Sequence, residues 1–333
     1  MYYRYKTRKK DRTYLKVILY LIIAGVVSYT LYHYKNHLMF WRISHNRIVS
    51  EITSVTGITE PQKRFEKLKK LKNDLETYRD ENEMEPESYF FLSRIYYGLG
   101  ISGMDSDFTD IYLNESNIKL SPESVKYLTE SIKNSRKAIA LLDGKEVSID
   151  DIFILAGAYY FTGYYGGEEI YNLLKEFVRD DDGISTGNAR FFSIVCISAG
   201  KTEEGLTFLQ AKGDVKKNVK GRLLWAKALG DAMKHTEAII AFQDILKTPE
   251  DSVSQKIAYA NLGRIYYEQH LYKESIEQFN SSLALGDEIN SRIWLGKNYM
   301  AIGEKDKAKT VWSEALNADS SNEEAKKLLG MIQ

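Results

Sequence analysis

Beyond residue 41, apolar side chains return every three or four residues over most of the chain, the spacing of helices with one buried face. "WRISHNRIVSEITSV", from Trp41 to Val55, reads as a helix that ends at Gly57. Thr59-Glu60-Pro61-Gln62 then has the form of a capping box with proline early in the next helix. Phe65, Leu68, Leu71, Leu75 and Tyr78 line one face of that helix, and the opposite face, Lys-rich early and acid-rich late, reads as solvated.

Further along, the pattern repeats. Leu262, Gly263 and Tyr266, followed by Ser275, Phe279 and Ser282, return as Leu295, Gly296, Tyr299, Ala308, Trp312 and Ala315. Each unit reads as two helices joined by a short turn, "EQHLYKE" in one and "AIGEKDK" in the other. Small residues such as Gly263, Gly296, Ala308 and Ala315 let paired helices approach, while Phe279 and Trp312 fill the space between pairs. One pair leaves its apolar face uncovered, so pairs must stack. Weaker copies precede these: Trp225, Ala226, Leu229, Ala238, Phe242 and Ile245; Phe192, Ser193, Cys196, Gly205 and Leu209; Ala156, Gly157 and Tyr160; and Leu92, Ser93 and Tyr96. That makes about six units. Arg94-Ile95-Tyr96-Tyr97 and Arg264-Ile265-Tyr266-Tyr267 are the same four letters in the first unit and the fifth. The surplus length between them falls mainly in an insertion at 101–121, before a long helix from Pro122 to about Leu142.

The N-terminus differs in kind. Residues 1–13 form a basic tail, and 14–34 contain "VILYLIIAGVVSYTLYHY" without an acidic residue. About 20 residues at ~1.5 Å each reach across ~30 Å of hydrocarbon. Tyr14, Tyr32, Tyr34 and Trp41 stand near its ends, where interfacial aromatics belong. "VVS" is a poor cleavage site, so a retained anchor is expected over a signal peptide. More positive charge precedes the segment than follows it. Residues 1–13 are therefore expected in the cytoplasm, 35–85 as juxtamembrane helices, and 86–333 outside the cytoplasmic membrane, periplasmic or extracytoplasmic.

Charge and chemistry narrow the function. Lys+Arg and Asp+Glu both number 46, so no global basic excess points to nucleic acid. The single cysteine, Cys196, excludes an intramolecular disulfide and a multi-cysteine metal site, and its place at an aromatic core position of its unit predicts a buried, inert thiol. No G-x-S-x-G, H-E-x-x-H, Walker-type loop or G-x-G-x-x-G occurs. His33, His37 and His45 lie beside the apolar segment, and His235 and His270 in expected turns. Asp180-Asp181-Asp182-Gly183 lacks the spacing and closing glutamate of a calcium loop, and Asn114-Glu115-Ser116 is a formal glycosylation sequon. No catalytic residue, cofactor or metal is expected.

The spacing of small and aromatic residues resembles the tetratricopeptide repeat family, over about 86–323 and most strongly over 219–323. Residues 322–333 look like the helix that closes such a stack. The family usually ends each unit with proline, and here only Pro249 comes close to that position. The resemblance implies an all-α, right-handed superhelical stack of helix-turn-helix units whose first helices line a concave groove for another protein. In such units the residue after the small one points to the concave side. This gives a row of Arg94, Ala158, Ile194, Lys227, Arg264 and Lys297, with Tyr97, Phe161 and Tyr267 three residues further on. A groove built on Arg94, Tyr97, Phe161, Lys227, Arg264, Tyr267 and Lys297 would favour an acidic or carboxylate-ended segment of a partner protein. The alternative is that the cations pair with acids on adjacent helices, such as Asp231 or Glu268. The lysine and asparagine clamp that some family members use for chaperone tails is not reproduced.

Together these features predict a non-enzymatic, membrane-anchored interaction scaffold for assembly or quality control of a bacterial envelope machine. The alternative is a regulatory subunit of a membrane enzyme in lipid or polysaccharide synthesis. Self-association is left open.

Overall fold

A computed structural model of the chain describes residues 46–55, 57–102, 108–114, 120–144, 146–178 and 183–332. The chain divides into two compact units after Leu75. In the described part of the first unit, α1 (46–55) carries an i,i+4 ion pair, Arg47 to Glu51 at 3.0 Å, and buries Ile48 and Val55. α2 (Pro61–Glu81) follows, with Leu68, Leu71, Leu75 and Tyr78 buried as its periodicity predicts.

The second unit is a succession of helix pairs. They are α3 (Pro86–Ile101) with α5 (Pro122–Leu141), α6 (Ile149–Thr162) with α7 (Gly167–Val178), and α8 (Thr186–Ser198) with α9 (Thr202–Lys212). Then come α10 (Val219–Asp231) with α11 (His235–Lys247), α12 (Ser252–Glu268) with α13 (Tyr272–Ala284), and α14 (Ile289–Ala301) with α15 (Lys305–Ala318). α16 (Glu323–Gly330) closes the series against α15, and α4 (Phe108–Asn114) lies in the insertion between α3 and α5. Among the described residues no strand is present.

Turn chemistry sets the pairing. From the second pair on, the first helix ends in one left-handed residue: Gly163, Gly200, Met233, His270 and Gly303, with φ between 60° and 83°. The next residue's N–H reaches back to a carbonyl five positions earlier. Lys201 bonds Cys196 at 2.8 Å, Lys234 bonds Leu229 at 2.9 Å, Leu271 bonds Tyr266 at 2.9 Å and Glu304 bonds Tyr299 at 2.8 Å. This is the Schellman closure, which satisfies the last carbonyls and turns the chain back on itself. The following first helices start on side-chain caps: Ser185 for α8, Asn218 for α10 and Asp251 for α12.

Within each pair, small residues meet. Ser275 Oγ donates to the Gly263 carbonyl at 2.6 Å, and the buried Ser93 hydroxyl lies 3.0 Å from that of Ser131 and 2.6 Å from that of Ser135. These hydroxyls satisfy one another or the backbone, so the helices come close without stranding a polar group. Among the described residues, first helices touch first helices (α3 with α6, α8 with α10, α10 with α12, α12 with α14), and no two second helices approach as closely. The first helices therefore form the inner face of the stack.

The expected localisation is corrected. Among the described residues no helix is long and apolar enough to cross a membrane. The reason is physical: the longest described helices, the 21-residue α2 and the 20-residue α5, are interrupted throughout by charged residues. The expected tail at 1–13 and anchor at 14–34 lie outside the described residues, as do Asp180-Asp181-Asp182 and the Glu115-Ser116 part of the sequon.

Candidate functional site

The four cations of the predicted row fall on four of the six first helices, and each meets a carboxylate. Arg94 of α3 makes two bonds to Asp151 of α6, Nε to Oδ1 at 2.8 Å and a terminal nitrogen to Oδ2 at 2.9 Å. Asp151 is buried in the first turn of α6, where the positive end of the helix dipole also favours its charge. The bond to Asp151 holds the Arg94 guanidinium above its ordinary pKa, against the lowering effect of burial. Lys297 of α14 bonds Glu324 of α16 at 2.7 Å, and its ammonium stands 4.2 Å from the centre of the Trp294 ring. These pairs tie first helices to the next helix in line.

The densest node is Asp231 at the end of α10. Arg264, from α12, donates to Oδ1; the Tyr112 hydroxyl, from α4, donates to Oδ2. The Lys227 ammonium lies 3.8 Å from Oδ2 and 4.9 Å from the centre of the Tyr112 ring. Lys227 is only 3% exposed, so its charge depends on partners inside the protein, this acid and this ring among them. Burial pushes the Asp231 carboxyl up; Lys227, Arg264 and the Tyr112 hydroxyl more than offset it and leave the pKa below the ordinary aspartate value. Arg264 Nε also lies 3.8 Å from Glu268 on its own helix.

The predicted aromatics take different surroundings. Tyr97 is half-buried, with its ring 6.3 Å from Phe161 and its hydroxyl end against Gly157, and burial raises its pKa. Phe161 itself is buried. Tyr267 is half-buried between Tyr272 and Trp294, at ring separations of 5.5 and 5.2 Å. The structure thus brings Lys227 and Arg264 onto one acid and Tyr97 onto Phe161, while Arg94 and Lys297 stand in separate pairs. Ala158 and Ile194 of the row are buried among core side chains.

Three participants were missing from the sequence-based reading, Tyr112 and Leu113 from the insertion and Trp294, while Asp231, named there as a pairing acid, is the hub. Asp231 had a signal, since it stands four residues after Lys227, as Glu268 does after Arg264. Tyr112 had none, because nothing local ties residue 112 to residue 231. Among the described residues no group of three or more His, Cys, Asp or Glu is placed to hold a metal ion. A cavity of about 360 Å³ opens elsewhere, between α10 and α11, but Arg222 on its wall is engaged with Glu250 at 2.5 Å.

No protein-family profile matches the sequence, and no curated protein matches it. Solved structures do. A tetratricopeptide repeat protein from Parabacteroides merdae matches with a TM-score of 0.56 at 16% identity, over 87% of this chain and 98% of that one. Yeast Tom70 matches with a TM-score of 0.53 at 13% identity, over 81% of this chain and 52% of that one. The APC/C hetero-tetramer Cut9–Hcn1 matches with a TM-score of 0.50 at 16% identity, over 80% of this chain and 46% of the matched chain. This chain therefore spans about half the length of the latter two. The likeness is one of fold: an all-helical stack of tetratricopeptide-like pairs.

Proposed function

We propose that the chain is a protein-binding scaffold and that its first-helix face receives a segment of another protein. The observation that carries this reading is the concentration of paired ions and half-buried rings along α10, α12 and α14. Lys227, Arg264 and Asp231 stand together, and Lys297 lies on Trp294, which packs edge-on against Tyr267. Flat rings supply anchoring contact at an interface, and surrounding charges fix orientation and the rate of encounter. An acidic or carboxylate-ended segment would compete with Glu324 for Lys297, whose pair is partly exposed. Participation in a complex is also a property of one structural neighbour, the Cut9–Hcn1 hetero-tetramer.

The test is a comparison of the chain with a Tyr267→Ala, Lys297→Ala variant, each immobilised and cross-linked to bound proteins that are then quantified by mass spectrometry. Neither side chain is fully buried, and thermal melting is the control that the variant remains folded. Arg264 is left intact because it holds Asp231. Recovery of one defined partner should fall more than tenfold, which is about 1.4 kcal/mol. Equal recovery by the folded variant would remove this face from consideration.

A further inference from the structure

α4 belongs to no helix pair. α3 packs against α5 across the insertion, and α4 lies instead against α8 and α10, two and three units further on. Ile111 joins the apolar cluster of α5, α6 and α8, and the remaining contacts are those of a bound segment. The acid Asp110 meets Lys220 at 2.7 Å. The Tyr112 ring lies under the Lys227 ammonium, and its hydroxyl donates to Asp231. Asn261 of α12 donates its side-chain amide to the Leu113 main-chain carbonyl at 3.2 Å. Leu113 is 2% exposed, sunk in the apolar cluster of Ile194, Leu223, Leu224 and Ile257. A charge, a ring, a hydroxyl, an apolar anchor and a main-chain group are thus each read by a separate residue of the first helices.

The seat is not completely filled. Beside Leu113 lies a cavity of about 20 Å³, bounded also by Ile257, Asn261, Arg264, Phe279 and Trp294. That is room for about one water molecule. An apolar side chain larger than leucine, entering at the same point, would reach Trp294 and gain contacts that Leu113 does not make.

We propose that α4 is a built-in occupant of the partner site, and that the partner is a protein segment of the same chemistry that enters by displacing it. That segment carries an acid, then an aromatic hydroxyl two residues on, then a bulky apolar side chain. This rests on the reading of the first-helix face as the docking surface. Tethered in the same chain, α4 competes at a high effective concentration, and the apparent affinity for the partner falls by the fraction of molecules in which the seat is open. The device makes capture selective: only a segment that satisfies Lys220, Asp231 and Asn261 and also fills the cavity outcompetes the resident one.

The test uses the full chain and three labelled peptides read by fluorescence anisotropy. One has the sequence of residues 108–114, the second has phenylalanine at the Leu113 position, and the third has alanine at the Tyr112 and Leu113 positions. The Tyr112→Ala, Leu113→Ala chain should bind the first peptide at least tenfold more tightly than the unaltered chain, the second more tightly still, and the third not at all. Adding Asp231→Asn, with circular dichroism as the control for folding, should abolish the gain. A folded double variant that binds no better than the unaltered chain overturns the proposal, and so does a double variant that fails to fold, because α4 is then a core element. Exchange of 108–114 between two copies, read as a dimer by light scattering, also overturns it. On the unaltered chain, hydrogen exchange gives a second reading: excess phenylalanine peptide should speed exchange of the 109–113 amides and slow those of α10 and α12, and no change counts against displacement. If capture of the natural partner depends on Tyr267 and Lys297 but is the same with and without the Tyr112 and Leu113 side chains, only this inference fails and the docking face stands.

Discussion

The indole of Trp312 lies directly over Gly296, and its Nε1–H is donated to the Ile293 carbonyl at 3.0 Å. One residue thus fills the space between α14 and α15 that the other leaves open. The pair one unit earlier repeats the arrangement, with Phe279 carbons 2.8 Å from where a Cβ on Gly263 would stand.

Gly296→Leu should therefore destabilise the stack. A Cβ at this position would run into the indole, which is buried and fixed by its hydrogen bond. Overpacking of this kind costs ~1–3 kcal/mol. Trp312→Ala, which empties the same space, should cost ~3–5 kcal/mol. Thermal melting followed by circular dichroism checks both, and an unshifted midpoint for Gly296→Leu would contradict the packing described.

Met233 gives the opposite sign. It occupies the left-handed turn position at φ 60°, where Gly163, Gly200 and Gly303 stand in other units, and its side chain is 71% exposed. A side chain in this conformation costs roughly 1–2 kcal/mol, against roughly 0.5–1 kcal/mol of extra chain entropy for glycine. Met233→Gly should raise stability by up to ~1 kcal/mol, read as a higher urea midpoint. His270→Gly should gain less, since His270 also contacts the Tyr272 hydroxyl at 2.9 Å. A loss of stability in Met233→Gly would show that the turn is held by something other than backbone conformation.

These two positions also show what a sequence discloses. Gly263, Gly296, Phe279 and Trp312 were legible because a glycine and an aromatic at a fixed offset in consecutive units have one packing solution. The row of Arg94, Lys227, Arg264 and Lys297 was legible as a set of cations on one face, yet their partners were only half so. Asp231 and Glu268, an i,i+4 step away, could be named, whereas Asp151 and Glu324 come from the next unit along. Tyr112 and Leu113 were illegible, because an insertion outside the period is placed by tertiary contacts alone. The membrane reading of 14–34 rested on hydropathy of residues that the repeat pattern does not constrain.

Cys196 should be chemically silent in the folded protein. It is buried in α8, and burial together with the nearby Glu204 carboxylate pushes its thiol up to about 12. The thiolate is the reactive form, so its population at pH 8 is negligible. Ellman's reagent at that pH should react with one thiol per chain in guanidinium chloride and with almost none in native buffer. Rapid native labelling would mean that α8 opens readily.

Asp231 should leave its mark on acid unfolding. An aspartate in an unfolded chain titrates near ~3.9, and in the folded protein Asp231 titrates lower: burial raises its pKa, but Lys227, Arg264 and the Tyr112 hydroxyl lower it further. As pH falls, the unfolded chain therefore takes up this proton first. The contribution of ionised Asp231 is complete above the unfolded value and is lost as pH falls through the folded one. Asp231→Asn removes that contribution and leaves Lys227 and Arg264 facing an uncharged amide. At pH 7 the variant should be less stable than the parent by ~3–5 kcal/mol, the usual effect of breaking a buried pair. As pH falls below the unfolded aspartate value of about 3.9 the two urea midpoints should begin to draw together, because the parent's carboxylate is being neutralised by protons. Tyr112→Phe, which removes one stabilising donor, should move this convergence to higher pH. A gap between parent and Asp231→Asn that stays constant down to pH 2 would mean that the charge of Asp231 is not what joins α4, α10 and α12.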